Sequence, residues 1–142
     1  MLPDTSEANE ITAKAQFAGS RILVVEDCKD LQLLTTLILE DLGAVVATAD
    51  NGLEGLEIAE QSEFDLILMD LRMPVMDGYT AIRNLRNNGC RIPVIAMTAS
   101  SRQNELEKCL RYGFSDCICK PAPRSQFIDY IKCYLTKETA RH

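Results

Sequence analysis

The chain has 142 residues, of which 46% are hydrophobic and 25% charged, and 21 acidic residues against 15 basic ones give a net charge of −6. That length suits one domain with a real core, and the composition excludes a wholly disordered chain. The acidic balance argues against general binding to phosphate backbones or docking on an anionic membrane, and points to protein partners and, where acidic groups cluster, to a cation.

Residues 1–20, MLPDTSEANEITAKAQFAGS, are polar and lack sustained periodicity, so they read as a tail or linker with one helical turn around Ala13 to Phe17. They lack a basic segment leading into an apolar one, and no stretch of the chain approaches the roughly 20 apolar residues of a membrane span. A cytoplasmic location without a signal peptide is therefore expected. From Arg21 a regular alternation begins. ILVV (22–25), VVATA (45–49), DLILM (65–69), IPVIAM (92–97) and DCIC (116–119) are short apolar runs with the marks of buried strands.

Between them lie segments with helical spacing. Leu31, Leu34, Ile38 and Leu42 form one stripe, which Gly43 should end. A second helix follows DNG (50–52) and carries Leu53, Leu56 and Ala59. A third runs from Gly78 through Tyr79, Ile82 and Leu85 towards Gly89. Ser100 with Gln103 resembles a capping box opening a fourth, with Leu106, Cys109 and Leu110 facing inward. Phe127, Ile128, Ile131, Tyr134 and Leu135 stripe a fifth. Five strands alternating with five helices predict an α/β fold, a flavodoxin-like doubly wound parallel sheet of order 2-1-3-4-5. The organisation reads as a tail over 1–20, one domain over 21–137 and a C-terminal tail over 138–142, with no room for an output domain after Lys120. The six cysteines lack a second pair or histidine cluster to complete a zinc site, the only histidine being His142, and are expected to be reduced and mostly buried.

Ligands of such sheets bind beyond the carboxyl ends of the strands. The first run ends in Glu26-Asp27, the third at Asp70, the fourth leads to Thr98 and the fifth to Lys120. Taken singly, Asp27 reads as a helix cap, Thr98 as a turn residue and Lys120 as a solvated charge. Together they put three carboxylates, a hydroxyl and an ammonium on one rim. Carboxylates about 5 Å apart repel by roughly 3 kcal/mol per pair at an effective dielectric near 20, which a proton or a divalent cation relieves. Mg²⁺ suits few carboxylates, several waters and a phosphoryl oxygen. The chemistry that follows is phosphoryl transfer to a carboxylate, with Asp70 as nucleophile.

ILVVEDCKD, LILMDLRMPVMDGYTAIRNLR, IPVIAMTAS and GFSDCICKP together make residues 21–137 resemble the receiver domain of two-component signalling. The resemblance implies that Asp70 is the phosphoacceptor and that Glu26, Asp27, Asp70 and the Arg72 backbone carbonyl hold Mg²⁺. It makes Thr98 the switch hydroxyl and Lys120 the phosphate-pairing ammonium, and it implies a cis Lys120-Pro121 bond. It further implies a histidine kinase as phosphodonor, a histidine phosphotransfer protein as a possible recipient, and signalling through the fourth helix, fifth strand and fifth helix. No turnover of an external substrate is expected. The leading Leu2-Pro3 resembles the exit from a kinase ATP-binding domain, which implies the receiver of a hybrid sensor kinase; the competing reading is a freestanding receiver.

Two departures stand out. Cys117 occupies the position where the family commonly has an aromatic partner of the switch threonine, and the long charged Arg72 lies where acyl-phosphate lifetime is tuned. A haloacid-dehalogenase-like phosphatase is the enzyme alternative, but it wants an aspartate where Arg72 stands. A receiver that binds protein without being phosphorylated is the third reading.

Overall fold

A computed structural model describes residues 16–139. The strands are β1 (Arg21–Val25), β2 (Val45–Ala49), β3 (Leu66–Asp70), β4 (Val94–Thr98) and β5 (Asp116–Cys119). The helices between and after them are α1 (Lys29–Asp41), α2 (Gly52–Gln61), α3 (Gly78–Asn87), α4 (Arg102–Tyr112) and α5 (Arg124–Thr139). All strand pairings are parallel and the order is β2-β1-β3-β4-β5, as the alternation requires.

Both faces of the sheet are covered, so each strand feeds two cores by simple alternation. Leu23, Val25, Ile67, Met69, Val94, Ala96 and Cys117 point to one side, where they meet Ala81, Ile82 and Leu85 of α3 and Cys109 of α4. Ile22, Val24, Leu66, Leu68, Ile95 and Ile118 point to the other, against Leu39 of α1 and Phe127, Ile131 and Leu135 of α5. Phe17 joins this second core at 2% exposure, its N–H donating to the Leu42 carbonyl at 2.8 Å. Gln16–Gly19 form a turn; Ala13 to Ala15 of the expected helical turn, Leu2-Pro3 and residues 140–142 lie outside the described residues.

The expected inward faces of α3 and α5 are borne out by Ile82, Leu85, Phe127, Ile131 and Leu135, and that of α1 by Ile38 and Leu42, but the start of α1 departs from it. In α1 the buried residues are Gln32 and Leu39, whereas Leu31 and Leu34 of the expected stripe are 40% and 54% exposed. The cause is local: the Gln32 amide reaches the Glu26 carbonyl at 2.9 Å and the Ala49 carbonyl at 3.1 Å. Satisfying those strand-end carbonyls turns a polar residue inward and rolls the leucines out. Leu53 and Leu110 are likewise exposed, while Leu56, Ala59 and Leu106 of the same expected stripes pack against the first core. The cap of α4 is Ser101, one residue beyond Ser100, with its hydroxyl accepting from the Asn104 N–H at 3.3 Å. Strands β3 and β4 start one and two residues later than their apolar runs, which places Asp70 inside β3 as its last residue. Gly43, with φ of 95°, turns the chain out of α1 as expected. Of the cysteines, all free, Cys109 and Cys117 are buried, Cys90 and Cys119 half-buried, and Cys28 and Cys133 exposed, so burial is less general than the sequence suggested.

Candidate functional site at the carboxyl rim of the sheet

Parallel pairing brings every strand's carboxyl end to one rim. Glu26 and Asp27 follow β1 directly, Asp70 closes β3, Thr98 closes β4 and Lys120 follows β5. Asp70 lies opposite Met97 in the β3–β4 register, and Thr98 opposite Cys119 in the β4–β5 register. The Thr98 carbonyl accepts the Lys120 N–H at 2.6 Å, which fixes these two residues relative to each other. Lys120-Pro121 is cis.

The side chains converge as the strand ends do. Glu26, Asp27 and Asp70 each offer a carboxylate oxygen such that these atoms all lie within 4.8 Å of one another. Lys120 Nζ sits 3.1 Å from Glu26 Oε1 and 3.1 Å from Asp70 Oδ2. The Glu26 and Asp70 side chains are 8% and 9% exposed, so their repulsion is poorly screened. Burial, then hydrogen bonding to and repulsion from Asp70, raise the Glu26 carboxyl to about 7, against the pull of the Cys28 N–H and Lys120. Burial works against the Lys120 ammonium, but Asp70 and Glu26 outweigh it and its pKa is raised. One lysine thus faces three acids. The remaining negative charge calls for a proton or a cation.

The donor set fits a hard divalent ion. Three carboxylates from two strand ends, one of them the exposed Asp27, make an open oxygen site of the kind Mg²⁺ takes with water completing its shell. Arg72 is exposed, and its backbone N–H points to Asp70 Oδ1 at 3.4 Å. Asp50 follows β2 and is not among the clustered carboxylates. Lys29 at 2.5 Å and Gln32 at 3.0 Å hold its carboxylate and lower its pKa.

The loop after β3 turns the chain from the rim into α3. Met76 N–H donates to the Pro74 carbonyl at 2.7 Å across Val75, whose φ is 69°, a tight three-residue turn. Asp77 then caps α3, accepting the Thr80 N–H at 2.8 Å. Gly78 lets α3 start against the end of β3: a Cβ there would stand 2.5 Å from the Asp70 carbonyl oxygen. Thr98, at 5% exposure, accepts the Ser100 N–H on its hydroxyl at 3.1 Å. Thr98 also lines a cleft shared with Leu71, Arg72, Tyr79, Glu105 and Lys108.

Glu26, Asp27, Asp70, Thr98 and Lys120 therefore lie on this rim, and Arg72 follows Asp70 by two residues. Sequence reasoning missed Gln32, which ties the ends of β1 and β2 together, and the α3–α4 contacts of Tyr79. Gln32 had one usable signal, a polar residue one position off a leucine stripe just after an acidic strand end. It also missed a network behind β5. There Asp116 Oδ1 accepts from Arg102 at 2.9 Å, and the Tyr134 hydroxyl lies 3.0 Å from Asp116 Oδ2 and 2.9 Å from the Ser115 carbonyl.

Compared with known proteins, residues 22–132 match the family described as response regulator receiver domain. An uncharacterized 14.6 kDa protein in the sodA1 3′ region of Leptolyngbya boryana is 37% identical over 115 residues, covering 80% of this chain and 88% of that protein. Sensor histidine kinase RcsC of Escherichia coli K12 is 36% identical over 115 residues, which is 81% of this chain but only 12% of RcsC. One solved structure is the receiver domain of sensor histidine kinase PA1611 from Pseudomonas aeruginosa PAO1, with a magnesium ion coordinated in its active site cleft. It is 38% identical, with a TM-score of 0.76, and the match covers 84% of this chain and 99% of that one.

Proposed function

Because the chain belongs to the response regulator receiver domain family, we propose that Asp70 is its phosphoacceptor in a two-component or phosphorelay pathway. The observation that carries this reading is the meeting of Glu26, Asp27 and Asp70 within 4.8 Å, beside an ammonium 3.1 Å from two of them. Mg²⁺ held by these carboxylates and the Arg72 backbone carbonyl would supply positive charge against the incoming phosphoryl group.

The chain's own groups do the rest by position. An Asp70 carboxylate oxygen attacks phosphorus carried on a histidine imidazole; the P–N bond breaks, a P–O bond forms, and the imidazole nitrogen regains a proton. Transfer of this kind passes through a loose, charge-dispersed transition state, so fixed charge and alignment matter most. Lys120 pairs with a phosphoryl oxygen, exchanging part of its contact with Glu26. The Thr98 hydroxyl donates to another and moves towards the modified rim, and the change is read on the face of α4, β5 and α5.

The donor is a histidine kinase, and a histidine phosphotransfer protein is the recipient if the chain is part of a hybrid kinase, as the similarity to RcsC and PA1611 supports. The receiver occupies residues 21–137, signals in the cytoplasm and turns over no external substrate. Among the described residues no helix is long and apolar enough to cross a membrane. The test is intact mass after exposure to acetyl phosphate and Mg²⁺. A gain of about 80 Da that is lost in Asp70→Asn is expected; no gain in the wild type, or the same gain in the variant, defeats the assignment.

A further inference from the structure

Among the eleven residues of α4 only Cys109 is buried, whereas α3 buries Gly78, Ala81, Ile82 and Leu85. Leu106 and Tyr112 of α4 pack against the core at half-burial, and polar tethers add to them. The tether in the cleft beside Thr98 comes from Tyr79. The Tyr79 hydroxyl donates to Glu105 Oε2 at 2.7 Å and lies 3.7 Å from Cys109 Sγ. With its single proton given to Glu105, the Tyr79 oxygen is left to accept from the Cys109 thiol. This ties α4 to α3 at two points.

The ring is fixed as firmly as the hydroxyl. Its centroid lies 4.7 Å from that of Tyr112 and 6.0 Å from that of Phe114, and Lys108 Nζ stands 4.4 Å from it. Cys117 is a small buried side chain on β5, in the core cluster that also holds Cys109 of α4 and Ala81 and Ile82 of α3. Tyr79, Glu105 and Lys108 share their cleft with Thr98 and with Leu71 and Arg72, the two residues that follow Asp70.

We propose that Tyr79 is the positioning residue that couples the acceptor site to α4, and that its bond to Glu105 is the tether a phosphoryl group releases. The inference rests on the phosphoacceptor reading for its trigger. A phosphoryl group brings about −1.5 to −2 charges to the mouth of this cleft. That charge repels Glu105 and attracts Lys108 and Arg72, so the carboxylate swings out, the cation leaves the ring, and Tyr79 loses both partners. The first turns of α4 then come away from α3.

Hydrogen–deuterium exchange over residues 102–112 tests this, in the wild type, Tyr79→Phe and Glu105→Gln, each with and without acetyl phosphate and Mg²⁺, with the mass gain read separately. Tyr79→Phe keeps the ring packing and folds, which unchanged exchange in β1 and β3 verifies. Without phosphodonor its α4 amides should exchange about tenfold faster than wild type, and phosphorylation should add little. Glu105→Gln can still accept the tyrosine proton but has no charge to repel, so α4 should stay protected in both states. The proposal is overturned if Tyr79→Phe protects α4 as the wild type does, or if Glu105→Gln loosens on phosphorylation as the wild type does. A wild-type mass gain without change in α4 overturns the coupling alone; absence of any mass gain overturns the acceptor reading and the trigger with it.

Discussion

On the β5 side of Asp70 the contacts are between full charges: Lys120 lies 3.1 Å from both Glu26 and Asp70, and all three side chains are at most 20% exposed. On the α4 side of Thr98 they run through a phenol to one thiol and a single carboxylate, Tyr79 to Glu105 at 2.7 Å and to Cys109 at 3.7 Å. The first arrangement is frustrated, with more acid than base in a space that screens little. The second is satisfied, and burial pushes the Cys117 thiol up to about 12, so the thiols stay neutral and unreactive near pH 7. One region is built to respond to a change of charge; the other holds its geometry until its carboxylate moves.

The largest expected difference between the two regions is in chemistry. Replacing Lys120 by Ala should slow phosphorylation by acetyl phosphate about 100-fold, since it removes the fixed positive charge of the charged network. Time-resolved intact mass checks this, and a rate within twofold of wild type would remove Lys120 from the chemistry. Replacing Tyr79 by Phe should leave that rate within about twofold, because the satisfied network does not touch the reacting atoms.

The frustration should also appear as a pH dependence of stability without metal. The folded-state pKa of Glu26, about 7, stands above its ordinary 4.5, so between these values the folded protein binds more protons than the unfolded one. Stability is then fully present below about pH 4.5 and falls as pH rises through 7, by on the order of 2 kcal/mol. Denaturant midpoints at pH 5 and pH 7.5 measure it. Glu26→Gln should flatten the dependence, and a wild type equally stable at both pH values would mean that the carboxylates are already compensated.

The smallest effect belongs to the network behind β5. Tyr134→Phe removes the hydroxyl that faces Asp116 and the Ser115 carbonyl, and should cost about 1 kcal/mol in urea unfolding without altering the phosphorylation rate. A loss of phosphorylation in this variant would join two regions that the structure keeps apart.

The same contrast governs what the sequence discloses. Glu26, Asp27, Asp70, Thr98 and Lys120 are legible because each ends an apolar run, and the topology rule alone sends parallel strand ends to one rim. The strand alternation that separates the two cores is legible for the same reason, a period of two over five residues. Helix phase is less so. In α1 the leucines outnumber the inward positions, and which of them turn in is decided by Gln32 bonding strand carbonyls that only the fold brings near. Tyr79 and Glu105 are 26 residues apart on different helices, and nothing in spacing or composition pairs them.

Three carboxylates gathered within 4.8 Å of one another should bind a divalent cation before any phosphoryl group arrives. Calorimetric titration of Mg²⁺ into the protein at pH 7.5, beside Asp27→Ala, tests it most directly, because Asp27 is the exposed member of the cluster and its removal spares the core. One bound ion per chain, lost or weakened at least tenfold in the variant, is the predicted result; no binding to the wild type, or binding unchanged without the Asp27 carboxylate, would contradict it.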